Sequence, residues 1–396
     1  VRCVYETEKT TNYMIAGIPA ETFAGELRVA LVPEALPPLI KAGVEVILEP
    51  GARSPAGFPD AAYKDKGATL AASRQDLFAA ADLLLQVRTY GANPNAGRTD
   101  LHLLRGEQFL IGMCDPLTAV DENRELAGMG VTLLALELMP RITRAQSMDV
   151  LSAMATLAGY KAVLMAAAEL PRIFPLMMTA AGTLTPARVL VIGAGVAGLQ
   201  AIATARRLGA VVQAYDLRPA VKEQVESLGA RFVDLGLESG DSEDAGGYAV
   251  AQGEDFYRRQ REALGKLVAD SDVVIATAAV PGKKAPVLIS REMVSGMEAG
   301  AIIIDLAAER GGNCELTRPG ETVVEGGVQI VGPLNLPAAV PHHASQMYAH
   351  NISSFLQPLA PEDALMLDSE DEITSATLVL HQGQIVHPLV LENDIS

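Results

Sequence analysis

The chain has 396 residues, with 31 Lys and Arg against 48 Asp and Glu, a formal charge of −17 and only 4% aromatic residues. At roughly 150 residues per domain this length predicts two or three domains, each able to bury its own core. So acidic a surface repels phosphate backbones and excludes nucleic acid as a partner, and Cys3, Cys114 and Cys314 are too few and too far apart for a disulfide framework or a zinc site, which fits a reducing cytosolic setting.

The opening VRCVYETEKTTNY carries charges of both signs and no apolar core, so it reads as neither signal peptide nor anchor. Residues 1–13 are expected to be a disordered extension, with the fold starting at Met14. Short β-branched runs then alternate with helical patterns, which predicts parallel sheets covered by helices. The expected strands of the first domain are Ile15 to Ile18, Val44 to Leu48, Leu83 to Val87, Phe109 to Met113 and Val131 to Leu136. Between the first two, Pro33 marks a helix start and Gly43 its stop.

After Ala153 a long apolar helical segment leads through PRIFPLMMTAAGTLTPA into a second series. Leu190 to Ile192, Val211 to Tyr215, Phe232 to Asp234, Val273 to Thr277, Ile302 to Asp305 and Val328 to Val331 read as six strands, the count of a dinucleotide-binding domain. The charge-free stretch from Gly326 to Pro361 holds five prolines and many polar groups, so it is no membrane-spanning helix. The helical segment Ala344 to Leu356 and the hairpin-like TLVLHQGQIVHP are expected to return to the first domain. The fold class is therefore α/β, two Rossmann-like doubly wound parallel-sheet domains with a cleft between them: 14–150 plus 343–396, and 151–342.

Gly193, Gly195 and Gly198 form G-x-G-x-x-G directly after an apolar strand, with Val196 and Ala197 opening a helix. With 35 glycines in the chain, roughly 0.3 such matches arise by chance, so the context carries the reading. Gly193 permits the tight turn, Gly195 lets backbone approach a pyrophosphate, and Gly198 lets the helix sit close to the sheet. Asp216 ends the next strand about 20 residues on, where a carboxylate accepts hydrogen bonds from a ribose diol. It would repel the 2′-phosphate of NADP, so NAD(H) is the expected cofactor, with Leu217 beside it. Arg218 is the objection, since it is placed either to hold a phosphate or to pair with Asp216. Thr277, Ala278 and Ala279 follow a strand end where such folds touch adenosine or ribose, and Asn335 in VGPLNLP stands either at the nicotinamide side or in a turn. His342 and His343 are adjacent and cannot both face one metal from one strand, so no metal site is expected.

ELMPRITRAQSMDVLSA gathers Arg141, Arg144, Gln146, Ser147, Asp149 and Ser152 where the chain leaves the first domain. A position between domains suits a cleft ligand: Arg141 and Asp149 could fix a carboxamide and ribose, and Gln146 can donate and accept. A helix start, with Thr143 or Ser147 capping and Asp149 serving the dipole, fits the same composition. Leu235 to Glu254 holds five glycines with Asp241, Glu243 and Asp244, a polar loop in which Tyr248 is the one large side chain able to cover a nucleotide.

ELMPRITRAQSMD, MTAAGTLTPARVLVIGAGVAGLQAIATARRLGAVV, KEQVESLGARF, DAGGYA and IIDLAAERGGNCE together resemble the NAD(H)-binding, alpha-1 type subunit of proton-translocating nicotinamide nucleotide transhydrogenase, from about Met14 to Pro388. Alanine dehydrogenase, with a similar RVALVPE start at Arg28 to Glu34, is a more distant likeness. The resemblance implies a subunit that passes hydride from NADH to NADP⁺ held on a separate NADP(H)-binding subunit, coupled to proton movement by transmembrane subunits. LAGYKAVLMAAAEL is apolar on nearly every face and IFPLMMTAAG adds apolar surface, so a homodimer built partly on Leu151 to Ala181 is expected, as the resemblance also implies, together with a place at the cytoplasmic face of the membrane through its partners. Arg141, Gln146, Asp149 and Ser152 would then be the nicotinamide-end residues, and Tyr248 part of a closing loop. Two other readings compete. An amino acid dehydrogenase needs a lysine and a histidine where this chain has Arg88 and Asp115, and a non-catalytic NAD-binding module needs no catalytic side chain at all.

Overall fold

The computed structural model describes residues 14–51, 54–236, 254–279, 282–359, 367–368 and 370–395. The extension 1–13 and the loop with Tyr248 lie outside the described residues. Up to Val150 and from Pro341 onward the described chain clusters as one unit, and Leu151–Val340 as a second.

The first unit opens with β1 (Met14–Ile18), β2 (Val44–Leu48), β3 (Thr69–Leu70), β4 (Leu83–Arg88), β5 (Phe109–Met113) and β6 (Thr132–Ala135), all parallel, in the order β3-β2-β1-β4-β5-β6. β4, LLLQVR, is buried almost throughout, as a central parallel strand covered on both faces must be. β3 was not among the expected strands: two residues, Thr69 and Leu70, give no periodicity. The helix Leu36–Lys41 follows a 3-10 turn begun by Pro33 and stops before Gly43, whose φ of 83° only glycine takes freely. The order reverses between β1 and β4: the chain leaves β1 toward β2 on one side and β4 toward β5 on the other.

The second unit starts with the helix Val150–Glu169 and a free-standing hairpin, β7 (Met177–Thr179) with β8 (Gly182–Leu184). Its sheet comprises β9 (Arg188–Ile192), β10 (Val211–Tyr215), β11 (Arg231–Phe232), β12 (Val273–Ala276), β13 (Ile302–Asp305), β14 (Thr322–Glu325) and β15 (Val328–Val331), in the order β11-β10-β9-β12-β13-β15-β14. All six expected strands have a counterpart, the third shifted from Phe232 to Asp234 back to Arg231–Phe232. The seventh, β14, is an antiparallel edge strand, and its TVVE has too little apolar patterning to be expected.

Successive residues of the central strands feed opposite cores. Val189, Val191, Val273, Ile275, Ile302 and Ile304 pack with Ala162, Val163, Ala201 and Ile202, whereas Leu190, Ile192, Val274 and Ile303 pack with Leu264, Val268 and Val294. Both faces are thus covered by helices, the doubly wound arrangement. By length and composition the helix Val150–Glu169 could cross a membrane, yet Ala162, Val163 and Ala166 are fully buried in this core.

The chain then returns to the first unit through the helix Pro341–Leu359, and β16 (Leu378–His381) pairs antiparallel with β6 and with β17 (Gln384–Ile385), extending that sheet to eight strands.

Candidate nucleotide-binding site

In the second unit β9 ends at Ile192 and the chain reverses at Gly193, which has φ 94° and donates its N–H to Tyr215 O at 2.8 Å. A Cβ there would lie 2.7 Å from Thr277 Oγ1 and 3.1 Å from Ala278 N, and a Cβ at Gly198 would lie 1.8 Å from Gly193 O. These two glycines let the helix Val196–Arg207 start directly against the turn. Gly195 differs. The nearest atom to a Cβ on it is Arg218 Nη2 at 4.0 Å, so packing against the protein does not require a glycine there. Ala197 is held from behind, because a Cβ at Gly159 would lie 2.0 Å from its carbonyl oxygen. A turn open at Gly195, at the start of a twelve-residue helix, fits a pyrophosphate.

Asp216, 8% exposed, stands at the end of β10. Its Oδ2 accepts the N–H of Ala194 at 2.6 Å, and its Oδ1 accepts from Arg218 N at 2.8 Å and Arg218 Nε at 3.0 Å, with Arg218 Nη2 3.0 Å from Oδ2. Of the two roles open to Arg218, the protein itself supplies the Asp-paired one. Leu217 between them is half-buried. Tyr215, whose phenol is pushed up by burial, accepts from Gln260 Nε2 at 2.8 Å and braces the strand end.

On the other side of β9, Thr277 Oγ1 donates to Gly193 O at 2.9 Å, so this hydroxyl supports the glycine turn. The backbone of Ala278 is held at both ends by one side chain: its N–H donates to Asn313 Oδ1 at 3.0 Å, and Asn313 Nδ2 donates to its carbonyl at 2.8 Å. Asn313 is itself fixed by Asp305, whose Oδ2 accepts from Asn313 N at 2.7 Å, Cys314 N at 2.9 Å and Thr317 Oγ1 at 2.6 Å. Burial raises the Asp305 carboxyl against these bonds. Asp305 and Asn313 were absent from the expected site, although GGN after a strand end is a turn signal. Ala279 is exposed. Asn335 has φ 51° and donates its N–H to Glu309 Oε1 at 2.7 Å; its backbone makes the turn that was one of its two expected roles.

In the first unit the polar loop forms a 3-10 turn, Thr143–Met148, which begins after Ile142 without a side-chain cap and buries Ala145 and Met148. Asn351 Nδ2 donates to Ser147 O at 2.8 Å, and Arg144 Nη2 donates to Asp371 Oδ2 at 2.6 Å. The loop is thereby pinned while Arg141 and Gln146 stay exposed and Asp149 half-buried at the foot of the helix Val150–Glu169. Ser152 lies on that helix's first turn, its carbonyl accepting from Thr156 Oγ1. Arg88 ends β4 with its guanidinium 4.3 Å from the Phe23 ring centre, and Asp115, at φ 50°, donates its N–H to Glu137 Oε1.

Residues 17–158 match the alanine dehydrogenase/PNT N-terminal domain family, and residues 162–388 match the corresponding C-terminal domain family. The chain is 48% identical over 378 residues to an NAD(P) transhydrogenase subunit alpha chain of Rhodospirillum rubrum, covering 95% of this chain and 98% of that one. The crystal structure of transhydrogenase from Sinorhizobium meliloti superposes with a TM-score of 0.83 at 42% identity, over 94% of this chain and 100% of that one. Alanine dehydrogenase of Halomonas elongata is 30% identical over 96% of each chain. The chain belongs to the alanine dehydrogenase/PNT family, on the side of the NAD(P) transhydrogenase alpha subunits, with alanine dehydrogenase a more distant relative.

Proposed function

We propose that this chain is the NAD(H)-binding subunit of a proton-translocating transhydrogenase and holds NADH so that hydride passes directly to NADP⁺ on a separate NADP(H)-binding subunit. The observation that carries this reading is the glycine turn open at Gly195 and tied through Ala194 to the Asp216 carboxylate, within a chain so similar to transhydrogenase alpha subunits. A carboxylate at Asp216 accepts from a ribose diol and repels a 2′-phosphate, which selects NAD(H).

The nucleotide, when bound, supplies the hydride chemistry. What the chain must supply is position, because transfer between two nicotinamide rings moves no proton to or from a heteroatom and needs no general acid or base. Arg141, Gln146, Asp149 and Ser152 are assigned to the nicotinamide end, Gly193 to Gly198, Asp216, Leu217, Arg218 and Thr277 to Ala279 to the rest of the nucleotide, with Asn335 on the nicotinamide side and Tyr248 covering it. Transmembrane partner subunits would couple transfer to proton movement and hold this chain at the cytoplasmic face. A homodimer is supported by the apolar exposure at the hairpin β7–β8, where Met177, Met178 and Leu184, with Leu176 just before it, are exposed.

Single-turnover transfer from C4-deuterated NADH, in a mixture with the NADP(H)-binding subunit, tests the reading. Deuterium should appear in NADPH. Its loss to solvent, or oxidation of NADH by this chain alone with a small metabolite, overturns it.

A further inference from the structure

The amide of Asn313 holds the chain just past β12 from three sides. Its Oδ1 accepts from Ala278 N at 3.0 Å, and its Nδ2 donates to Ala278 O at 2.8 Å and to Pro286 O at 2.9 Å, so both amide donors are engaged. The backbone of Asn313 is held as firmly. Its N–H donates to Asp305 Oδ2, and its carbonyl accepts from Leu288 N at 2.8 Å and Ile289 N at 3.0 Å. Asp305 is fixed in turn, with Oδ1 accepting from Ala307 N at 3.0 Å and Oδ2 also accepting from Cys314 N and Thr317 Oγ1. Neither Asn313 nor Asp305 has any exposed surface, so neither can meet a ligand directly.

What Ala278 touches gives this brace its consequence. A Cβ on Gly193 would lie 3.1 Å from Ala278 N, and Thr277 Oγ1 donates to Gly193 O, so the end of β12 and the glycine turn are in contact. The N–H of Ala278 is engaged by Asn313 and cannot also donate to a nucleotide. Residues 277–279 therefore offer a wall, and a wall works through its position: a radial gap of roughly 0.5–1 Å forfeits a quarter to a half of the dispersion attraction. We propose that Asn313, held by Asp305, is a positioning residue for NADH, which acts through Ala278 to set that wall against the glycine turn. The inference rests on the reading of this turn as the NAD(H) site.

Fluorescence titration with NADH, thermal unfolding, and single-turnover transfer in a mixture with the NADP(H)-binding subunit test it. Asn313→Ala should raise the NADH dissociation constant roughly 10-fold or more. At saturating NADH its transfer rate should stay within a few fold of the parent's, because the nicotinamide end is assigned to another loop. Asn123→Ala removes an equally buried amide of the first unit, bonded to Pro116 O, and should lose thermal stability while keeping the parent's NADH affinity. Thr317→Val takes one bond from Asp305 and should raise the dissociation constant a few fold; it decides the matter if Asn313→Ala does not fold. Parental affinity in a folded Asn313→Ala or, failing that, in Thr317→Val would overturn the proposal alone. So would an equal loss of affinity in Asn123→Ala, or a transfer rate at saturation that falls in step with affinity. A parent chain that binds no NADH would overturn the site reading and this proposal with it.

Discussion

The carboxylate of Asp216 accepts the backbone N–H of Ala194 at 2.6 Å, joining the end of β10 to the middle of the glycine turn after β9. One residue thus shapes the turn and presents the acceptor that would meet a ribose. Arg218, bonded to the same carboxylate, is the nearest group to the bare face of Gly195.

The first prediction follows from that pair. The parent chain should bind NADH with strong preference over NADPH, as read by titration of nucleotide fluorescence. Asp216→Ala should weaken NADH by roughly 1–3 kcal/mol through lost hydrogen bonds to a charged group. It also releases Arg218, so affinity for NADPH should hold or rise. Equal affinity of the parent for the two nucleotides would refute the role given to Asp216.

The glycines separate packing from binding. Gly198→Ala puts a methyl 1.8 Å from Gly193 O, so the helix must shift, and overpacking of this kind costs about 1–3 kcal/mol or more. Gly195→Ala meets no protein atom closer than 4.0 Å and has an ordinary φ of −75°. It should leave thermal unfolding unchanged while abolishing NADH binding. Normal binding by Gly195→Ala would show that no phosphate approaches there.

These glycines were legible in the sequence because their work is local: a strand, a turn and a helix follow one another within ten residues. Five of the six parallel strands of the second unit were legible for a related reason, each being a β-branched run between turn signals, whereas β11, Arg231–Phe232, overlaps its expected run only at Phe232. β3 and β14 were not, since Thr69–Leu70 is too short and Thr322–Glu325 too polar to carry a period. Asn313 was missed because it braces Ala278 from 35 residues away, and no spacing rule reports a side chain that folds back so far. Glu21 and Glu26 look like surface acids in a polar stretch until Arg28 and the end of β4 are seen beside them.

Stability should fall as pH rises across neutrality. Burial pushes the Glu21 carboxyl up to about 8 and that of Glu137 up to about 7, from an ordinary value of 4.5. Each folded value lies above the unfolded one, so the fold keeps protons that the unfolded chain releases. The contribution is complete below about 4.5 and is lost as pH rises through 7 and 8, with a slope of about 1.4 kcal/mol per pH unit for each proton. Denaturant unfolding between pH 5 and pH 8.5 should show this decline, and Glu21→Gln should flatten it. A stability that rises over this range would contradict the assignment.

The exposed hairpin predicts assembly. Met178, 77% exposed at the centre of β7, should lie in the interface of a homodimer. Light scattering should give a dimer for the parent at micromolar concentration and a monomer for Met178→Asp. A monomeric parent would remove the hairpin from the argument.

The last prediction separates geometry from affinity in the polar loop. Gln146 is exposed on a turn held at two points, the Ser147 carbonyl by Asn351 and Arg144 by Asp371. Gln146→Asn keeps the amide but shortens its reach by one methylene. If its task is to place a nicotinamide ring against a second one, transfer should slow by 10-fold or more, on the order expected for a misplacement of about 1 Å, while NADH affinity stays within a few fold. Asp149→Asn removes an acceptor charge at the foot of the helix Val150–Glu169 and should lower affinity and rate together. Single-turnover rates and fluorescence titrations on the two variants give both quantities. Unchanged transfer in both would take the reacting ring away from this loop, and a Gln146→Asn variant that lost affinity in step with rate would make Gln146 a binding residue, with no separate part in positioning.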